Sequence, residues 1–320
     1  MRPTTTRETL AGTVERPLVV IVVAYGDAGA LSACLQSLEG RYPTTIVDNS
    51  SSAMTEALAR SAGAAYLDPG ENLGFGTAIN RALQQLTLSE CDVLLLNPDA
   101  SIGPEMIDRL RARLQESPGL GCVAPAQHQP GSDGFSQVRW PFPAPSVAWA
   151  DAFGLGRFRR GWGFVIASVL LVRGSALVDV GGFDEGFFLY AEEADWEKRA
   201  TARGWGVGYE PEAVAVHEGA GTEADPLRRE LRFHAGLERY VRKWHGAWGW
   251  RSYQVAKVIA ATRRAVFGPA ARRQTSARLA RLYLKGPYRA ATRAGVIPQR
   301  IHYVPLLKGP TSPERTIRFR

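Results

Sequence analysis

The regular patterning of the chain begins with seven consecutive apolar residues, Leu18-Val19-Val20-Ile21-Val22-Val23-Ala24. A run without polar alternation has both faces covered, so it predicts an interior strand of a parallel sheet. Tyr25-Gly26-Asp27 ends it. Leu31, Cys34, Leu35 and Leu38 then recur at helical spacing until Tyr42-Pro43 stops the pattern. The same alternation predicts strands at 44–49, 64–67, 92–96 and 121–124. It predicts helices at 53–62, at 74–86 behind a glycine-rich turn, and at 102–114 with Pro104 near the start. Strands and helices that alternate through short links predict an α/β, three-layer domain with a mostly parallel central sheet. Ligands of such sheets bind beyond the carboxyl ends of the strands, and Asp48 and Asp99 stand at two such ends.

Residues 126–160 break this texture, with Pro130, Pro141, Pro143 and Pro145 among glycines and Trp140 and Trp149. They predict an irregular excursion. A strand-like run follows at 164–172, then a short helix at 175–180, a break at Gly181-Gly182 and a helix at 192–203. Short strands follow at 207–209 and 214–216. Beyond Asp225 the pattern is helical. One helix is predicted at 227–244. Val255, Val258, Ile259, Thr262 and Val266 then form an apolar stripe, and Leu279, Leu282 and Tyr283 repeat it between Arg278, Arg281 and Lys285. The last 30 residues, rich in Pro, Gly and Arg, predict loose order. The expected organisation is a flexible N-terminal segment at 1–17, an α/β domain at 18–226 and a basic helical region at 227–320.

Composition sharpens this division. The net charge of +8 is the balance of 17 basic against 28 acidic residues in 1–227 and 22 basic against 3 acidic in 228–320. The C-terminal region thus attracts polyanions: nucleic acid, an anionic membrane leaflet or a phosphorylated lipid. Hydrophobic residues make up 45%, as expected of a folded soluble chain. Cys34, Cys91 and Cys122 are widely spaced, form no ligand pattern and read as buried free thiols of a reducing compartment. Residues 1–17 do not read as a signal peptide, and no apolar run approaches 18 residues, so no membrane span is expected.

Five places carry candidate chemistry. Asp99, in Asn97-Pro98-Asp99, can hold Mg²⁺ or Mn²⁺ against phosphate oxygens, or serve as a helix N-cap. Asp48 can accept from a base or ribose, or cap a turn. The turn at Glu71-Asn72-Leu73-Gly74-Phe75-Gly76-Thr77 lets backbone approach a phosphate or sugar closely, but it is neither a dinucleotide fingerprint nor a P-loop. An aromatic stretch from Phe183 to Tyr190 leads into Glu192, Glu193 and Asp195 at a helix start. Crowding and partial burial there raise a carboxylate pKa, which suits a general base; a solvated capping cluster is the alternative. His217, after Val214-Ala215-Val216, is either a metal ligand or a buried structural histidine.

Taken in order, these segments resemble the inverting GT-A glycosyltransferases of family two, particularly the bacterial rhamnosyltransferase-like and galactofuranosyltransferase-like members. The resemblance covers about residues 18–245. It rests on the opening strand through Tyr25, Ile46-Val47-Asp48-Asn49-Ser50, Asn72-Leu73-Gly74-Phe75-Gly76 with Asn80, Asn97-Pro98-Asp99, Gly181-Gly182-Phe183-Asp184-Glu185, Phe188 through Asp195, and His217. It implies a GT-A (Rossmann-like nucleotide-binding) fold with a C-terminal basic helical extension. It also implies a nucleotide-sugar donor, dTDP- or UDP-linked, held around Ala24, Tyr25, Asp48, Asn72, Gly74, Phe75, Gly76, Asn80, Asn97 and Asp99, with Asp48 on the base. Asp99 would bind Mn²⁺ or Mg²⁺, with Asn97 in place of the first aspartate of the DxD-like motif and His217 as second ligand. Glu193 would be the catalytic base beside Glu192, with Asp195 supporting the base or the acceptor. Arg173 and Trp196 would line the site. Ile166-Ala167-Ser168 departs from the small Ser-Gly-Ala type sequence frequent in the family.

The implied reaction is transfer of a sugar, with rhamnose from dTDP-rhamnose the leading choice, to a lipid-linked or polysaccharide acceptor. The enzyme would be cytoplasmic and peripheral on the inner face of the cell membrane. Basic helices with apolar stripes and Trp244, Trp248 and Trp250 suit an anionic interface; packing on the body or in a homodimer is the alternative. A nucleotidyltransferase would need a basic glycine-rich loop that Tyr25-Gly26-Asp27-Ala28-Gly29 lacks. Nucleic-acid binding is disfavoured by the acidic body and the lack of a recognition motif.

Overall fold

The computed structural model describes residues 16–26, 28–156, 161–219 and 225–298. Its strands are β1 (Leu18–Ala24), β2 (Thr44–Asp48), β3 (Ala65–Leu67), β4 (Asp92–Leu96), β5 (Ala100–Ser101), β6 (Leu120–His128), β7 (Arg139–Trp140), β8 (Phe164–Val165), β9 (Val169–Val172) and β10 (Gly206–His217). Its helices are α1 (Ala28–Ser37), α2 (Ala53–Ser61), α3 (Phe75–Leu83), α4 (Pro104–Glu116), α5 (Pro145–Ala152), α6 (Gly174–Val180), α7 (Glu192–Ala202), α8 (Pro226–Phe267), α9 (Ala270–Lys285) and α10 (Pro287–Arg293).

Eight strands form one sheet in the order β3-β2-β1-β4-β9-β6-β10-β5. The β1–β2, β1–β4, β2–β3 and β6–β10 pairs are parallel. The architecture is therefore the expected mostly parallel α/β sheet of GT-A type, with a basic helical region after it. Successive residues of β1 face opposite layers, which explains the unbroken apolar run. Ile21 and Val23 pack with Ile79, Leu177 and Trp196 on one side, and Val20 and Val22 with Leu31, Ile107 and Leu110 on the other. Full burial of each such aliphatic side chain contributes about 1.5–3 kcal/mol.

Three local expectations change. The predicted strand at 164–172 is two strands, β8 and β9, separated at Ile166–Ser168. The two short strands at 207–209 and 214–216 are one long β10, irregular between Glu210 and Val214. Most consequentially, β9 runs antiparallel between β4 and β6, with Val169 opposite Leu96 and Val172 opposite Val93. That reversal carries Arg173 to the edge where β4 begins, away from Asp99. There its guanidinium donates to the carbonyls of Leu114, Leu120 and Ser117. Arg173 does not line the site.

The basic region packs on the body. Tyr240, Val241, Trp250, Tyr253, Ala256, Ala260 and Tyr283 share a core with Ala148 and Ala152 of α5 and with Phe187 and Ala194. The helix predicted to end at 244 is broken at Gly246 (φ 68°, ψ −171°) and resumes to Phe267. The predicted stripe is not its buried face: Val255, Ile259 and Val266 are exposed, while Ala256, Ala260 and Ala261 face inward. Of the C-terminal segment expected to be loosely ordered, 299–320 lies outside the described residues. No helix among the described residues is long and apolar enough to cross a membrane. All three cysteines are free and buried. Burial, with Asp99 nearby, pushes the Cys34 thiol up to about 12.

Candidate active site

β4 ends at Leu96, and a tight turn follows. Asn97 N–H donates to the Ser168 carbonyl (2.8 Å), and Ala100 N–H to the Asn97 carbonyl (3.1 Å). This turn sends Asp99 toward the last residue of β10, because Ala100 pairs with His217 across the β5–β10 ladder. Glu218 N–H donates to the Asp99 carbonyl (3.1 Å), and Asp99 Oδ1 lies 3.4 Å from His217 Nε2. The N-cap of α4 is Gly103, so Asp99 is not the N-cap residue. A carboxylate and an imidazole this close suit one divalent cation whose other ligands are donor oxygens and water. Among the described residues no cluster of three or more His, Cys, Asp or Glu side chains gathers. The protein's own share would thus be these two groups.

Asp48 is fully buried at the end of β2. Oδ1 accepts from Ser50 N–H (2.9 Å) and Ser50 Oγ (2.6 Å); Oδ2 accepts from Ser52 N–H (2.7 Å) and Tyr66 Oη (2.9 Å). Four bonds match the lone-pair capacity of a carboxylate. The turn-capping role weighed for Asp48 is therefore its visible role. Ala24 sits opposite it in the β1–β2 register, and Tyr25 beside Ala24 is partly exposed. Asn49, whose amide bonds the Gly74 carbonyl (2.9 Å) and accepts from Leu73 N–H (3.3 Å), ties the β2 end to the next loop.

The 72–76 loop uses its glycines for protein contact. Asn72 Oδ1 accepts from Gly74 N–H (2.9 Å). Gly74 has φ +78°, and a Cβ there would lie 1.9 Å from the Phe188 carbonyl oxygen. Phe75 N–H donates to that oxygen (2.9 Å), and a Cβ on Gly76 would touch Phe183 and Glu192. Asn80 is an internal clasp: its amide donates to the Phe183 carbonyl (2.9 Å) and Glu185 (3.1 Å) and accepts from Phe183 N–H (2.8 Å). The loop and α3 thus press the 183–192 segment into place.

That segment ends in two left-handed residues, Tyr190 and Ala191 (both φ 72°), the second being the N-cap of α7. Non-glycine residues there cost on the order of 1 kcal/mol each. Directly beyond, the carboxylates part company. Burial, partly offset by backbone N–H groups, pushes half-buried Glu193 up to about 7. Burial and then the Glu193 charge push Glu192 well above the carboxylate range, and its Oε2 has no hydrogen-bond partner among the described residues. Asp195 is fully buried and charge-paired: Oδ2 accepts from Arg199 Nε (3.0 Å), and Oδ1 from Trp244 Nε1 (2.9 Å) and Lys243 Nζ (2.7 Å).

Sequence reasoning missed Glu197. It is fully buried, raised by desolvation, and accepts from Val165 N–H (2.9 Å). It stands one helical turn after Glu193, but nothing local marks that position as buried. Through Val165–Ser168 it links α7 to the Asn97 turn. Trp196 is a core residue, fully buried, stacked with Phe183 and donating to the Gly181 carbonyl (2.9 Å); it does not line the site. The structure therefore brings Asp99 to His217, and the 72–80 region to the Glu192–Glu193 turn. It leaves Asp48 in its own turn and Asp195 buried behind Glu193.

The sequence profile described as Glycosyl transferase family 2 matches residues 19–168. A Mycobacterium tuberculosis protein named N-acetylglucosaminyl-diphospho-decaprenol L-rhamnosyltransferase, found in two strains, is 31% identical over 268 residues, 73% of this chain and 87% of the relative. The mannosyltransferase PcManGT from Pyrobaculum calidifontis, solved with GDP-Man and Mn²⁺, superposes with a TM-score of 0.52 at 16% identity over 89% of this chain and 85% of that one. The glucosyl-3-phosphoglycerate synthase of Mycobacterium tuberculosis, solved with phosphoglyceric acid, gives 0.51 at 17% identity over 70% and 80%. At these identities the two solved structures speak for the fold.

Proposed function

Because the chain belongs to glycosyl transferase family 2, and so moves a sugar from a nucleotide-diphosphate donor to an acceptor, we propose that it is an inverting, cation-dependent rhamnosyltransferase. The donor is dTDP-rhamnose and the acceptor a lipid-linked or polysaccharide glycan. The rhamnosyltransferase name of the 31% identical relative supports this choice. The observation that carries the cation-dependent reading is the approach of Asp99 Oδ1 to His217 Nε2 at 3.4 Å, beyond the sheet's strand ends.

In this reading Asp99 and His217 would hold Mn²⁺ or Mg²⁺, which would supply positive charge to offset that of the diphosphate leaving group. Glu193, poised near neutrality, accepts the proton of the acceptor hydroxyl. The acceptor oxygen bonds to the anomeric carbon as the bond to the diphosphate oxygen breaks, with one inversion of configuration. Burial pushes Glu192 above the usual carboxylate range, which disfavours a second negative charge beside the base. Asp48, held by Ser50, Ser52 and Tyr66, anchors the β2–α2 turn on the side of the site where the nucleotide base would lie. UDP-sugars, galactofuranosyl donors among them, are the second reading.

Residues 18–226 act as the transfer unit, and 227–320 as the surface that meets the lipid-borne acceptor. Trp248, Val255, Ile259, Val266 and Phe267 are exposed on α8 beside Arg251 and Arg263. Such a face suits an anionic leaflet, each basic group contributing on the order of 1 kcal/mol. The protein is thus read as cytoplasmic and peripheral on the inner membrane face.

A panel of dTDP- and UDP-sugars, assayed with Mn²⁺, Mg²⁺ or EDTA, tests the reading. Turnover of dTDP-rhamnose that EDTA abolishes supports it. Full turnover in EDTA overturns the cation's role, and turnover restricted to another donor overturns the rhamnosyl choice. Sedimentation with phosphatidylglycerol vesicles tests the membrane face; concentration-dependent dimerisation without vesicle binding overturns it in favour of a homodimer.

A further inference from the structure

We propose that Lys243 and Trp244 of α8 are positioning residues for Glu193, acting through the buried carboxylate of Asp195. The inference rests on the reading of Glu193 as the base. It assigns the basic C-terminal helix a part in catalysis besides any surface it presents.

The base stands at the start of a helix whose entry is unfavourable by itself. Tyr190 and Ala191 both adopt φ 72°, a region that L-residues rarely occupy in succession. Surrounding packing must hold such a turn. On one side α3 does so, through the Phe75 N–H to Phe188 carbonyl bond of 2.9 Å. On the other side α8 does so. Its backbone at Gly236 is seated so closely that a Cβ would lie 2.3 Å from the Tyr190 carbonyl oxygen and 3.3 Å from that of Leu189. Phe233 meets the Tyr190 ring edge-on, with centroids 5.8 Å apart.

Two turns further along α8 the contact becomes ionic. Lys243 Nζ is 2.7 Å from Asp195 Oδ1 and 2.7 Å from Asp184 Oδ2, and Trp244 Nε1 donates to Asp195 Oδ1 at 2.9 Å. Asp195 Oδ2 takes Arg199 Nε at 3.0 Å, and that guanidinium reaches on to the Val180 and Gly182 carbonyls. Asp195, in the first turn of α7, is therefore a buried hub that joins α8, the 180–184 turn and the helix of the base. Having no exposed surface, it cannot touch an acceptor. Its effect on transfer must pass through the placement of Glu193, two residues earlier. Misplacing a reacting group by about 1 Å can cost on the order of 100-fold in rate.

The test uses the full-length chain with the donor and acceptor that turn over in the panel above. Trp244→Phe keeps a ring and removes the N–H donor; Lys243→Gln removes the charge from a side chain that is partly exposed. kcat, donor Kd by calorimetry and thermal unfolding are measured for each. The expected result is a 10- to 100-fold fall in kcat with donor Kd within twofold, at a temperature where each variant is folded. In an Asp195→Ala background, Trp244→Phe is expected to lower kcat by less than a further twofold, since both changes act through one carboxylate. If Trp244→Phe does not fold, Lys243→Gln decides. A kcat within twofold of the parent, or a loss confined to donor Kd, overturns the inference. Glu193→Gln is run alongside. Full turnover by that variant overturns the base assignment itself, whereas an inactive Glu193→Gln with a fully active Trp244→Phe and Lys243→Gln rejects only the role of α8.

Discussion

The sharpest consequence of the site is a pH profile. As the proposed base, Glu193 must be ionised to accept a proton, and burial lifts it from an ordinary glutamate value to about 7. Burial raises its carboxylate neighbours Glu192 and Glu197 in the same direction, and lifts the Tyr190 hydroxyl to about 12. For a single titrating base, the active fraction is about one half at pH 7, about a tenth at pH 6 and about a hundredth at pH 5. Initial rates at saturating donor, acceptor and cation should therefore fall roughly tenfold per pH unit below 7 and level off above it. Weaker cation or donor binding at low pH would also depress rate, so donor Kd must be followed over the same range. The reasoning requires the rate to fall while Kd still holds. A rate flat down to pH 5.5, or an acid limb near the 4.5 of a solvated glutamate, would refute it.

Three further outcomes are expected. Glu197→Gln keeps an acceptor for Val165 N–H and removes a group that binds its proton more tightly folded than unfolded. Such a group lowers stability by about 1.4 kcal/mol per pH unit as pH rises above its unfolded value. The variant's melting temperature minus the parent's should thus grow from pH 5 to pH 8; a constant difference would contradict the buried neutral acid. Gly74→Ala forces a left-handed alanine whose Cβ meets the Phe188 carbonyl at 1.9 Å, and should cost on the order of 2–4 kcal/mol in urea unfolding. Asp99→Asn should weaken Mn²⁺ binding in the presence of donor at least tenfold by calorimetry and leave the fold intact, because Asp99 caps no helix. Unchanged Mn²⁺ affinity would remove Asp99 from the cation site.

Much of this protein is local, and what is local was legible in the chain. Unbroken apolar runs at 18–24 and 92–96 announced interior strands, since a strand covered on both faces tolerates no polar alternation. Polar residues at strand ends single out Asp99 and His217, and the acidic run at a helix start singles out Glu193. What the chain alone left open depends on partners distant in sequence. Asp48 could hold a base or cap a turn until Ser50, Ser52 and Tyr66 were seen to fill its oxygens. Arg173 moved out of the site because β9 runs against its neighbours, a direction that hydrophobic periodicity does not encode. The apolar stripe at 255–266 does not mark the packed face, which is made of Tyr253 and of Ala256 and Ala260, the alanines letting α5 and α9 approach closely. The carboxylates of α7 show the division most clearly. Their spacing is written in the sequence, but which is raised by burial and which is paired follows from desolvation and from Lys243 and Trp244. Those two residues reach Asp195 across almost fifty positions, only because the chain folds back on itself.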